Sequence, residues 1–556
     1  MTNIQGKRYK KIKDPIYGYI AIDVDYIKRI IDTPVFQRLR RITQTSYAPL
    51  YSSALHNRFV HSLGVYHLGT IVSDCLGKSV EGVYNFENKY KIIENLTHVF
   101  LLACLLHDVG HAPFSHTGEV FYKFYWEEKD KDKEVKYGAS KLHERLRDLV
   151  GTSAFEHDLP GDIGSTAPHE IMSAIIGIKE FGVIIGDSSD KEFFARCITG
   201  YRYQSDELID NIKNCYIGML NSKVIDVDRL DYLIRDAYTS GFETVNIDYV
   251  RLLKAITIKE YMDKPTLVYR KDAVSVIENV VYAHDAEKKW IQNHPVVLYE
   301  TYIIKRILDN IEEKLGFEKT RLFTENSLSV QGNELKDNIR ICMLCDDDII
   351  YLCKNKFADE LGMEFFDRSK RRHPVWKSEA EYKAYVSDKL SKEDLQLLDN
   401  CLKSFIAFNN PEYPVSTVIN DEALRKCEED YSRVSKNYNS STKAMIRRIN
   451  VCRYLKEYAE ENHFEFDYLV LPTSMFLSNF SKDDLGKTLI NFEGRGSLPL
   501  QEVCNILNAE YNKENNDMYY LYYRRNNNPA IGSGKIDDIK AFCDGLVKAS
   551  QKENLQ

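Results

Sequence analysis

Apolar residues recur at helical spacing from about residue 23 to about 310. Ile27, Ile30 and Ile31, then Phe36, Leu39 and Ile42, fall near the period at which residues three and four apart share a helix face. Thr33 followed by Pro34 predicts a helix start, since proline is tolerated in the first turn. Leu101 to Leu106 is continuously apolar and predicts a buried helix. Ahead of this region, residues 1 to about 20 read as an extended lead-in ending in Asp14-Pro15-Ile16-Tyr17-Gly18-Tyr19. From about 464 the period changes to two: Phe464 to Leu471 alternates, and Met518 to Tyr523 is an aromatic run, both predicting strands.

These changes predict a mainly α protein with a smaller α/β C-terminal region. The expected divisions are residues 1–320, 321–430 (mixed, mostly helical) and 431–556 (α/β). Residues 120–168 interrupt the first division. They carry the charge run Glu127 to Glu134 and a Gly/Ser/Thr-rich stretch ending at Pro168, the pattern of a solvated insertion.

The length of 556 residues corresponds to about three to four domain equivalents at roughly 150 residues each. With 44% hydrophobic and 28% charged residues, the composition is that of a globular chain. The net charge of −8 argues against non-specific coating of nucleic acid or of an anionic membrane. No stretch of 18 apolar residues is present, the N-terminus shows no apolar signal region, and twelve cysteines lie scattered. The expectation is a reduced, cytoplasmic protein.

The candidate chemistry lies in three segments. Leu105-Leu106-His107-Asp108-Val109-Gly110-His111 places a histidine and an aspartate side by side at the end of the apolar helix. Upstream is Asn57-Arg58-Phe59-Val60-His61, and downstream Asp226-Val227-Asp228-Arg229-Leu230-Asp231-Tyr232. In the last segment Asp228, Asp231, Tyr232, Arg235 and Asp236 share one helix face, while Val227, Leu230, Leu233, Ile234 and Ala237 form the opposite, core-facing one. Taken alone, such a stripe is an exposed helix face. Beside two His/Asp motifs, it points to a site for a divalent cation (Mn, Fe, Mg or Zn) with positions open to water and phosphate.

His61, then His107-Asp108, then Asp228 resembles the H…HD…D pattern of HD-domain phosphohydrolases. The stretch Ile31 to Arg40, the His56 to Gly64 stretch, the run His107 to His116 and Asp226-Val227-Asp228 resemble more closely the SAM/HD-type dNTP triphosphohydrolases, without their sterile-alpha-motif domain. The resemblance covers about residues 14 to 310. It implies a helical HD core with a metal held by His61, His107, Asp108 and Asp228. It also implies hydrolysis of a dNTP at the α-phosphate, releasing a deoxynucleoside and tripolyphosphate.

Carried over by motif, the resemblance implies His111, His116 and His169 as catalytic histidines, with Glu119 and Glu170 as the acids of the last two. In this chain a glutamate stands at 119, where the family has aspartate. The resemblance further implies Arg58 on the α-phosphate, Tyr232 and Asp236 along the sugar, Gln44 near the 3′-hydroxyl and Tyr299 under the ring. Thr45 replaces the family's leucine beside the glutamine, which opens the deoxy-versus-ribo preference. Asp32, Gln37 and Arg40 match a pocket for a guanine nucleotide or dNTP activator at a subunit junction, so a nucleotide-dependent homo-oligomer is expected; the same segment also suits a plain interface. Arg251 and Arg270 are weaker candidates for a second nucleotide. The family's role in lowering dNTP pools makes phage defence an expectation for a bacterial source. The alternatives are another HD phosphohydrolase acting on a different nucleotide, or a nucleotide-sensing scaffold.

Three further patterns carry no chemistry. Cys342-Met343-Leu344-Cys345 is a lone pair of thiols without the four ligands of structural zinc. Gly532-Ser533-Gly534-Lys535-Ile536 lacks the first glycine and the Ser/Thr of a phosphate loop. Asn439-Ser440-Ser441 is a glycosylation sequon without meaning in a cytosolic chain.

Overall fold

The computed structural model describes residues 2–4, 7–124, 139–159, 166–242, 246–315, 322–335, 339–355, 360–387, 390–408, 418–434, 440–474, 480, 482–504, 517–525 and 536–555. The charge run Glu127–Glu134 and the Gly532–Lys535 pattern lie outside them. The protein is mainly α-helical, with small sheets and a strand-containing C-terminal region.

The chain forms two compact units that interleave in sequence: 1–287 with 310–357 and 478–509, and 288–309 with 358–477 and 510–556. The contiguous cuts expected at 320 and 430 therefore differ from the units observed. One cause is hydrogen bonding: strand Leu489–Phe492 pairs in parallel with strand Lys264–Arg270 and draws the late segment back into the first unit. That sheet, completed by Ile256–Tyr261 and Gly496–Pro499, interrupts the helical stretch expected over 23–310.

Six helices build the core of the first unit. They are α1 (Arg58–Val83), α2 (Lys89–Leu106), α3 (Pro168–Ile185), α4 (Ser188–Thr199), α5 (Leu208–Leu220) and α6 (Val227–Ser240). Their ends follow from local chemistry. Asn57 caps α1 by accepting from the Val60 amide at 3.2 Å, and Asp226 caps α6 by accepting from the Arg229 amide at 2.7 Å. Gly241, at φ +72°, closes α6. The Leu101–Leu106 run lies in α2 as expected, with Leu102 to Leu106 fully buried.

The lead-in is a hairpin, Lys7–Asp14 with Gly18–Asp23, rather than an isolated extended arm. Its turn is tied by Asp14 Oδ1, which accepts from the Ile16 and Tyr17 amides at 2.8 and 3.0 Å, and by Gly18 at φ +75°. Within the expected insertion, Ala139–Val150 and Ser153–Asp158 are helical, and Leu142, Leu146 and Phe155 are buried.

In the second unit, strands His373–Pro374, Asp517–Tyr523, Tyr468–Ser474 and Val418–Ile419 form an antiparallel sheet in that order. The aromatic run is its inner strand, and Met518 to Tyr523 are all buried, so both faces are covered. Helices Lys392–Phe408, Ser440–Glu461 and Ile539–Gln551 pack with one another, and Lys392–Phe408 packs on strands Tyr468–Ser474 and Asp517–Tyr523.

Candidate metal centre and active site

The end of α2 and the first turns of α1 and α6 bring three donors together. One nitrogen each of His61 and His107 and one oxygen of Asp228 lie within 4.8 Å of one another. His61 Nε2 is 2.9 Å from Asp228 Oδ1 and 3.2 Å from His107 Nε2. The other ring nitrogens are occupied. His107 Nδ1 lies 3.0 Å from the Cys104 carbonyl, which can only accept, so Nδ1 carries the proton and Nε2 presents a lone pair. His61 Nδ1 lies 2.7 Å from Asp231 Oδ2, which fixes that ring in the same sense. Such a donor set, two imidazoles and a carboxylate oriented by outer partners, fits a divalent cation.

The surrounding charge favours a cation too. Burial alone lowers the pKa of the His61 imidazole, but bonds to Asp228 and Asp231 and the charge of Asp108 outweigh it and raise it to about 10. Asp231 has no exposed surface, and its oxygens also receive Arg235 at 2.9 and 3.0 Å and the Tyr17 hydroxyl at 2.7 Å. Despite burial, Arg235 and His61 hold its carboxyl at about 2. Arg235 is shared with Asp14 at 3.1 Å, so the hairpin turn supports the centre through two residues. Gly64 is required here: a Cβ on it would stand 1.8 Å from Asp231 Oδ1.

Asp108, expected as a fourth ligand, is 3.5 Å from both His61 Nε2 and His107 Nε2. Its oxygens face Arg58 Nη1 at 2.8 Å and His111 Nε2 at 3.0 Å. Arg58, expected on a phosphate, also donates to Ser115 Oγ at 2.9 Å.

Beside this centre stands a second cluster, His111, His116 and His169. His111 and His169 stack at 4.1 Å between ring centroids, and His116 meets both edge-on. Glu119 bridges the cluster: one oxygen lies 3.4 Å from His116 Nδ1 and the other bonds His169 Nδ1. The acid facing His169 is therefore Glu119 and not the neighbouring Glu170. Glu170 lies in the first turn of α3, where its side chain reaches back to the Ala167 amide at 2.9 Å and also accepts from Asn221 at 2.9 Å. Burial pushes Glu170 up to about 7. For His169, burial lowers the pKa, but the Glu119 charge and hydrogen bond outweigh it and leave it raised. His111 is fully buried, and burial, Arg58 and His169 hold it well below its ordinary value. His116 keeps 65% of its side-chain surface open.

The expected sugar-side residues fall in two places. Gln44 is buried, and its side-chain oxygen has no hydrogen-bond partner. Asp236 Oδ1 accepts from His56 Nε2 at 2.7 Å, and the Tyr232 hydroxyl is bonded by Arg229. Tyr299 belongs to the second unit, where its hydroxyl donates to Glu364 at 2.6 Å and accepts from the Arg372 amide. In the expected activator segment, Asp32 and Arg40 are exposed. The Gln37 amide is engaged with the Ile31 carbonyl at 2.7 Å and Arg40 Nε at 2.9 Å, and the Arg40 guanidinium lies 3.5 Å over the Phe59 ring.

Several supporting residues were not singled out from sequence. Asp231, Asp14 and Tyr17 orient His61. Asp346 accepts from Thr43 N and Oγ1 at 2.8 and 2.7 Å and from Phe114 N at 2.7 Å. Buried Arg38 donates to the carbonyls of Val109, His111 and Leu344. Asp231 was visible on the acidic stripe; nothing in the sequence marks Asp346 or Arg38.

Residues 58–235 match the family model described as HD domain. This chain carries an HD domain. HD domains bind divalent metals, and the cluster of His61, His107 and Asp228, with Asp108 beside it, is able to hold one. The chain is 27% identical over 307 residues to the uncharacterized protein YwfO of Bacillus subtilis, covering 55% of this chain and 56% of that one. It is 31% identical over 253 residues to the deoxynucleoside triphosphate triphosphohydrolase SAMHD1 homolog of Dictyostelium discoideum (45% and 40% covered). It is 27% identical over 366 residues to the human deoxynucleoside triphosphate triphosphohydrolase SAMHD1 (63% and 53%). The matched stretch spans about half the length of these curated relatives. The crystal structure of a hypothetical protein from Aquifex aeolicus has the same fold, at a TM-score of 0.52 and 20% identity over 93% of this chain and 96% of that one. Among the described residues, no helix is long and apolar enough to cross a membrane.

Proposed function

We propose that this protein is a metal-dependent phosphohydrolase that acts on deoxynucleoside triphosphates and releases a deoxynucleoside and tripolyphosphate. The observation that carries the reading is a metal-ligand cluster standing next to a separate, acid-bridged trio of histidines. A bound divalent cation supplies Lewis-acid polarisation of a phosphoryl oxygen and acidifies a water. The chain's own groups do the rest. Arg58 offers planar donors that suit a phosphate oxygen. The His169–Glu119 pair, in which the acid raises the imidazole, offers a proton to the departing 5′-oxygen, and exposed His116 shares the same acid. His111, held toward its neutral form, can offer a hydrogen bond to a phosphate oxygen without adding charge. The unpartnered oxygen of Gln44 suits a sugar hydroxyl. The similarity to two named triphosphohydrolases supports the substrate class. Activation by a guanine nucleotide or dNTP through Asp32, Gln37 and Arg40, a homo-oligomer, and a part in dNTP-pool control or phage defence belong to this proposal.

The test is product analysis. Purified protein with Mn²⁺ and each dNTP should yield tripolyphosphate and deoxynucleoside in equal amounts. Release of orthophosphate or pyrophosphate instead would point to another HD phosphohydrolase. Tight nucleotide binding without turnover would point to a sensing scaffold.

A further inference from the structure

The twelve cysteines are scattered along the chain and all are free thiols, but three of them come together in the second unit. Cys401 lies on helix Lys392–Phe408, Cys427 on Asp421–Val434 and Cys452 on Ser440–Glu461, and all three are buried. The last two helices pack along each other, and their ion pairs give the register. Asp421 meets Lys456 at 2.8 Å, and Glu428 meets Arg453 at 2.7 Å. The residue number rises on one helix as it falls on the other, so the two run antiparallel. Cys427 and Cys452 each stand next to a member of the Glu428–Arg453 pair, on its buried side. Leu424, about one turn before Cys427, and Leu455, about one turn after Cys452, are buried and extend the same seam.

Within that seam the two sulfurs meet: the Cys452 thiol donates a hydrogen bond to the Cys427 sulfur. Arg448, about one turn before Cys452, is a second donor to Cys427 and is itself anchored by its Nε on Ser404 Oγ at 3.1 Å. These surroundings divide the pair. For Cys427, the Cys452 bond together with the charge and bond of Arg448 outweighs burial and lowers the pKa. For Cys452, the same bond and burial raise it. Burial pushes Cys401 up to about 12, and it raises Cys104 and Cys197 in the first unit as well. The thiolate is the reactive form of cysteine, so Cys427 is the nucleophile of the cluster and Cys452 the thiol beside it. Cys427 also keeps 3% of its surface open, and Cys452 none, which sets the order in which a small oxidant reaches them.

We propose that Cys427 and Cys452 are a reversible redox pair, in which Cys427 reacts with a peroxide and Cys452 closes a disulfide between the two helices. The Cys427 sulfur takes one peroxide oxygen, the O–O bond breaks, and the departing oxygen takes up the proton that Cys427 released. The Cys452 sulfur then attacks the resulting sulfenic acid, the S–O bond breaks, and hydroxide leaves with the Cys452 proton as water. Two thiols are oxidised, the peroxide is reduced, and an external dithiol reverses the link.

The test is peptide mass mapping of the full chain, without reductant, after titration with hydrogen peroxide. A Cys427–Cys452 link is expected, lighter by two hydrogens than the dithiol and removed by dithiothreitol. Cys452→Ser should leave Cys427 as a sulfenic acid that dimedone traps, and Cys427→Ser should abolish the reaction at both positions. Arg448→Gln should slow the link by about three- to tenfold, because a weaker acid forms less thiolate, though a more nucleophilic one. Cys401→Ser should leave it unchanged. The map of the unaltered chain stands even if a variant fails to fold, and its readout is mass rather than turnover, so it is independent of the hydrolase reading. A link through Cys401, a link between two chains, or peroxide consumed by other cysteines while these two remain thiols overturns the proposal.

Discussion

Asp231 places its two oxygens on His61, Tyr17 and Arg235 at once, with no contact to solvent. Its removal as a charge should act on the metal through His61. Asp231→Asn is expected to weaken metal affinity about 10–100-fold, the range for outer partners of metal histidines, while Asp14 still neutralises Arg235. Metal titration of the folded variant checks this, and unchanged affinity would show that His61 needs no orienting acid. Glu119 sets the neighbouring cluster by charge. Its own carboxyl is held far below its usual value by His169 and His116 despite burial, and His169 is raised in return. A lowered acid contributes stability above its unfolded pKa of about 4.3 and loses it as pH falls. A raised histidine contributes stability below about 6.5 and loses it as pH rises through its raised value. The pair therefore stabilises most between about pH 4.3 and 6.5. Glu119→Gln should lower the His169 titration point in NMR and flatten the stability profile in that window. A His169 titration that does not move would disconnect the two.

The turn after α2 is the element on which both clusters depend, because it carries Asp108, His111 and His116 within ten residues of chain. It includes two non-glycine residues in positive φ, Phe114 at 57° and Ser115 at 53°, a conformation that needs support from outside. Asp346 gives that support through Phe114 N while holding Thr43 with its other oxygen, and Ser115 Oγ donates to the Thr43 carbonyl. Asp346→Ala strands three donors, at about 1–3 kcal/mol for each buried group left unsatisfied. The expected result is a lower melting temperature together with a loss of turnover larger than the loss of metal. A variant that melts and turns over like the parent would mean the turn is self-supporting. Residues 322–355 thus work as part of the HD-containing unit, although their charged, mixed composition suggests a separate extension.

For the molecule as a whole, the proposed activator site is a matter of coupling between surface and core. Arg40 is exposed, but its guanidinium rests on the ring of Phe59, the neighbour of Arg58 in α1. A nucleotide drawing Arg40 away would act on the turn that holds Arg58. A ligand shifts assembly only by binding the assembled form better than the free chain. Guanine nucleotide or dNTP is therefore expected to raise both oligomer size and specific activity, by about 5–150-fold in affinity terms, and Arg40→Ala to weaken both responses together. Light scattering across nucleotide concentration checks it. Flat mass and flat activity would leave residues 32–40 as ordinary surface.

The mainly α class, the buried Leu101–Leu106 helix and the proposed metal donors His61, His107 and Asp228 were legible in the sequence. Their signals are local: apolar spacing, an apolar run ending in His-Asp, and an acidic stripe of helical period. The aromatic strand near 520 was legible for the same reason, since its signal is a run of aromatic residues within six positions. Other features depended on distance in space. Glu119 rather than Glu170 faces His169 because the side chain of Glu170, in the first turn of its own helix, turns back to the Ala167 amide, and spacing does not record which way a carboxylate turns. The support from Asp14, Tyr17 and Asp346 joins residues some two to three hundred positions from their partners, and the return of the 478–509 segment to the first unit rests in part on a parallel strand pairing. Neither leaves a periodic trace. Chain-local chemistry determined which residues were available; only the tertiary structure decided which of them meet, because hydrogen bonds and buried charges select partners by geometry and not by order along the chain.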